Sequence, residues 1–63
     1  MSKVEAWAKT ENAIKENGLA WEVIALDNIR NGKFWSALTR YEKKENMVYL
    51  NSDFQIVKME VVK

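Results

Sequence analysis

The chain of 63 residues contains no histidine and no cysteine. An imidazole base, a thiolate nucleophile, a disulfide framework and a zinc cluster are therefore all impossible. Acid–base catalysis could rest only on carboxylates, which must then be held in fixed geometry. Glu42 and Glu45 flank Lys43-Lys44 in what reads as a solvated turn, a poor place to fix them. Ser52 and Asp53 are turn formers. Glu11 falls inside an apolar stripe and could face Arg40 across a helix–sheet contact, but a carboxylate at the edge of an imperfect stripe is the plainer reading. No phosphate-binding loop, dinucleotide glycine fingerprint, nucleophile elbow or calcium loop occurs. The expectation is a non-catalytic protein with no cofactor and no metal centre.

Basic and aromatic residues offer a different chemistry. Arg30 and Lys33 bracket an Asn31-Gly32 turn, Trp35 and Tyr41 follow on the next strand, and Lys43 and Lys44 stand at its far end. Arg, Trp and Tyr are enriched at the energetic centres of protein interfaces. Cations beside exposed aromatic rings also hold single-stranded nucleic acids, by phosphate attraction and base stacking. The plain alternative makes Trp35 and Tyr41 core beneath a helix, and Lys43-Lys44 a solvated turn.

A helix must come first. Ser2 and Glu5 have the spacing of a capping box, and Gly18 stands where a helix stops in the left-handed conformation. With Gly18 just past the end, Leu19 and Ile14 form the apolar pair of a Schellman ending. Val4, Trp7, Ala8 and Ile14 suggest a narrow apolar stripe, and Glu5/Lys9 and Glu11/Lys15 are favourably ordered i,i+4 pairs. The spacing predicts a helix over 3–17.

Strands follow. Residues 20–30 are rich in β-branched and aromatic types, and Asn31-Gly32 favours a two-residue hairpin because both positions tolerate positive φ. Residues 33–42 return. A helix over 19–30 competes, since Leu19, Val23 and Leu26 could share a face, but the Asn-Gly pair favours the hairpin. Residues 43–46 read as a polar turn, 47–51 as a third strand, Ser52-Asp53 as a tight turn and 54–62 as a fourth strand. The predicted fold is α+β: one helix across a four-stranded antiparallel meander, a single domain over 1–63.

A two-residue turn at Asn31-Gly32 pairs residues whose numbers sum to 63. One face then carries Trp21, Val23, Phe34 and Leu38; the other carries Asn28, Arg30, Lys33, Trp35 and Tyr41. Both hold apolar area, and one helix covers only one of them. The expectation is that the helix covers the Val23/Leu38 face. A four-residue loop after Tyr41 would put Val48 and Leu50 with Thr39 and Tyr41; a five-residue loop would put them with Leu38 and Arg40.

Ten basic and nine acidic side chains give a net charge of +1, which argues against a strongly polyanion-seeking protein. No apolar run approaches the roughly 18 residues that span a bilayer. The N-terminus lacks a signal-peptide pattern, and a disulfide-free domain this small points to the cytoplasm. The Lys/Asn/Glu-rich style resembles a small bacterial or phage reading frame. The leading functional reading is a protein-interaction module, acting as a homodimer or as a small modulator of a larger protein. The second is a single-strand nucleic-acid binder using Arg30, Lys33, Trp35, Tyr41, Lys43 and Lys44. Membrane binding is not expected.

Overall fold

The computed structural model describes residues 2–62; the two end residues of the expected 1–63 domain lie outside them. Helix α1 (Lys3–Glu16) is followed by β1 (Glu22–Ile29), β2 (Phe34–Tyr41), β3 (Lys44–Asn51) and β4 (Ile56–Val62). The strands form one antiparallel sheet in chain order, with β1 and β4 at its edges. The α-β-β-β-β meander is the fold the sequence predicts, and residues 20–30 supply a strand rather than a second helix.

Both helix ends are built as their residues dictate. The Ser2 hydroxyl accepts a hydrogen bond from Glu5 N at 3.2 Å. At the other end Leu19 N donates to Ile14 O and Gly18 N to Lys15 O, the two bonds of a Schellman motif, with Gly18 at φ 74°. The buried stripe, however, is Ala6, Thr10, Ala13 and Ile14 rather than Val4, Trp7, Ala8 and Ile14. Val4 and Ala8 are exposed, and Trp7 is only half-buried. The observed stripe keeps the i, i+4, i+7, i+8 spacing of a core-facing helix. The helix presents small side chains, and the bulk comes from Leu26, Val48 and Leu50 of the sheet and from Phe54 in the β3–β4 turn. Thr10 belongs there because its hydroxyl donates to Ala6 O at 2.8 Å, leaving no polar group unsatisfied.

The helix covers the sheet face carrying Ala37, Thr39, Val48 and Leu50. This corrects the expected Val23/Leu38 face, and the reason is a bulge. The register sums to 63 from Ile29/Phe34 to Ala25/Leu38, then shifts so that Val23 pairs with Thr39. Ile24 is the extra residue. It lets Val23 and Leu26, three apart, both face the helix, whereas in a regular strand they would point to opposite sides. A second bulge, at Val57 in β4, does the same for Ile56 and Met59.

The turn after Tyr41 comprises only Glu42 and Lys43, with Glu42 at φ 57°. Its even length places Val48 and Leu50 on the Thr39 side, the outcome of the four-residue alternative. Lys44, Glu45 and Asn46, expected in the turn, are strand residues, and Asn46 O accepts from the buried Thr39 hydroxyl at 2.7 Å.

Candidate interaction surface

The six residues singled out from sequence do not form one surface. Trp35 packs against the core, its ring stacked on Phe54 with centroids 5.7 Å apart. Tyr41 lies on the same side of the sheet but at its far end, exposed and opposite Lys44. Lys43 occupies the adjoining turn, in an open depression with Arg40, Glu42, Glu45 and Val62. Lys33 is exposed in the β1–β2 turn at the opposite end. Arg30, expected beside Trp35, turns to the other face and lies over the Phe34 ring, 5.6 Å from its centroid. The cause is local: Arg30, Asn31 and Gly32 stand at φ 51°, 57° and 87°. A left-handed residue at the strand end breaks the alternation on which the expected grouping depended.

The face away from the helix carries a coherent patch instead. Strand alternation and register place Ala25, Ile29, Phe34, Leu38, Met47 and Tyr49 there, all half-buried, with the bulge residue Val57 beside Tyr49. Leu38 is flanked by Ala25 on β1 and Met47 on β3; Ser36 by Asp27 and Tyr49. No element of the described residues covers these side chains: helix α1 lies on the other side. Phe34, Leu38, Met47 and Tyr49 were missing from the sequence-derived set. The 63-sum pairing placed Phe34 and Leu38 together, and an even loop after Tyr41 would have added Met47 and Tyr49.

Charges of both signs ring the apolar centre. Arg40 donates to Glu45 across the β2–β3 pair at 3.0 Å. Lys58 and Glu60, side by side on β4, form a second ion pair. The hydrogen bond and charge of Glu60 hold the exposed Lys58 ammonium above the ordinary lysine range, and Lys58 also stands 5.9 Å from the Tyr49 ring centroid. With Arg30, and with Asp27 and Glu22 on β1, the face carries three cations and four anions. Glu11 and Arg40 do not meet; Glu11 is exposed on the helix and Arg40 faces away from it. Among the described residues no cluster of three acidic side chains is placed to hold a metal ion, and no helix is long and apolar enough to cross a membrane.

No protein-family model, curated protein or solved structure matches the chain.

Proposed function

We propose that the chain is a non-catalytic interaction module that docks a larger protein through the uncovered face of its sheet. The observation that carries this reading is the contiguous row of Ile29, Phe34, Leu38, Met47, Tyr49 and Val57 on a face that α1 leaves bare. Burying a fully exposed side chain of this kind is worth about 1.5–3 kcal/mol. Most of these are already half-buried, so a partner gains roughly half of that at each by covering several at once. Strands of seven or eight residues, four abreast, give a flat footprint of roughly 500 Å². Side-chain relief raises that towards the roughly 800 Å² that each partner contributes to a standard interface.

The charge pattern says what the partner looks like. Three cations against four anions leave the face with no excess of positive charge, and Arg40 and Lys58 are already paired. A nucleic acid needs a field of unpaired cations, and the aromatic ring meant to stack bases, Trp35, is spent on the core. A protein surface with its own apolar centre and a rim of both signs fits better. With no cysteine to oxidise, a cytoplasmic setting accords with the same reading.

Affinity capture with the whole chain as bait, followed by titration of the purified pair across a salt series, tests the proposal. Apolar docking gives a nearly salt-independent affinity. A steep loss with salt, or salt-sensitive binding of a short single-stranded oligonucleotide, counts against it.

A further inference from the structure

Edge strand β4 shows apolar side chains on both of its faces. Among the described residues the exposed large hydrophobics are Val4, Tyr41, Val57, Met59, Val61 and Val62, and four of these six stand on β4. Val57 and Val62 belong to the open face; Met59 and Val61 lie on the helix side, 51% and 75% exposed. An outer strand with one solvated face should alternate, and unpaired edges are usually guarded by charge, bulge or cover. Both edges carry a bulge, Ile24 in β1 and Val57 in β4, but β1 has in addition the acidic Glu22 and Asp27 and is the strand closest to the helix. On β4 the only charges, Lys58 and Glu60, neutralise one another within the chain.

We propose that β4 pairs antiparallel with β4 of a second copy, about a two-fold axis through Met59, to make one continuous eight-stranded sheet. Charge complementarity identifies the occupant. Opposite residues on antiparallel strands share a face, so a two-fold perpendicular to the sheet pairs residues whose numbers make a constant even sum. Three such registers centre on the middle of β4. One sets Lys58 against Lys58 of the copy, and another sets Glu60 against Glu60. The register centred on Met59 sets each Lys58 against Glu60 of the copy, twice over, with Met59 against Met59 between them. Only this one avoids like charges face to face. The Lys-Met-Glu run over 58–60 is thus self-complementary when read in opposite directions, up to the Val57 bulge. Pairing covers the backbone edge and sets the two Met59 side chains against each other on the helix side. It leaves Phe34, Leu38 and Met47 bare, so it is independent of the docking face and doubles it.

Sedimentation of wild type, Lys58→Glu, Glu60→Lys and an equimolar mixture of the two variants, at tens of micromolar, tests the pairing. Circular dichroism confirms that each chain is folded. Wild type should dimerise. Each variant alone sets like charges opposite one another, and its dissociation constant should rise roughly tenfold or more. The mixture should recover a heterodimer, because one chain then carries two carboxylates at positions 58 and 60 and the other carries two ammonium groups there. A purely in-chain role for the ion pair gives no recovery on mixing. A monomeric wild type, a dimer indifferent to both substitutions, or a mixture no more associated than its components would each overturn the proposal.

Discussion

Trp35 and Phe54 stack with their ring centroids 5.7 Å apart and their planes inclined by 28°. The contact joins the middle of the sheet to the β3–β4 turn, and Lys9 of the helix lies over the same Phe54 ring at 5.6 Å. Phe54 makes it from φ 59°. Ser52, Asp53 and Phe54 form a three-residue hairpin loop closed by Asn51 N donating to Gln55 O, and Phe54 holds the left-handed third position where glycine is usual. The chain accepts a backbone cost there to place a ring in the core.

That trade makes an unusual ranking. Phe54→Ala loses the buried ring, worth about 3–5 kcal/mol, and keeps the left-handed cost. Phe54→Gly loses the ring but relieves roughly 1 kcal/mol of backbone strain. Glycine should therefore be the milder substitution by about 1 kcal/mol in urea unfolding, the reverse of the order at an ordinary core site. Alanine equal to or better than glycine would show that Phe54 bears no strain.

Gly18→Ala should destabilise by about 1 kcal/mol through backbone conformation alone. A methyl group added at Gly18 meets nothing within 4 Å, so no packing clash contributes. Thermal or urea unfolding reads the difference. A neutral result would mean that the helix ends elsewhere in solution.

Fold and surface were not equally legible in the sequence. The caps at Ser2 and Gly18, and the Asn31-Gly32 turn, are local signals in which a residue type meets a backbone demand, and the structure uses all three. The β1–β2 connection takes in Arg30 and Lys33 as well, and so is four residues long where the sequence suggests two. Face assignment is not local. A single extra residue, Ile24 in β1, reverses which side the start of the strand presents, and nothing in its side chain announces a bulge. The helix stripe was hidden differently: Ala6, Thr10 and Ala13 are too small or too polar to stand out, yet they suit a close helix–sheet contact. Trp35 drew notice as an interface residue because of its size, and its size is also what the core required. Leu38 and Met47, plain apolar residues, gain meaning only from what the helix fails to cover.

Stability should separate the two faces of the sheet. Leu26→Ala, at a fully buried position under the helix, should cost about 2–5 kcal/mol. Leu38→Glu, on the open face, should change unfolding free energy by no more than about 1 kcal/mol. A Leu38→Glu chain that fails to fold would place Leu38 in a core, and the face would then not be free to dock.

The most direct measurement compares the affinity of the captured and purified partner for three chains: wild type, Leu38→Glu and Val4→Glu. Leu38 lies at the centre of the uncovered face, and Val4, 80% exposed, lies on the helix. A charge buried without a counter-ion at an interface costs several kcal/mol, so Leu38→Glu should weaken binding by roughly a hundredfold or more. Val4→Glu should bind as wild type does. Undiminished binding by Leu38→Glu, or loss confined to Val4→Glu, would contradict docking through the open sheet and move the interface to the helix.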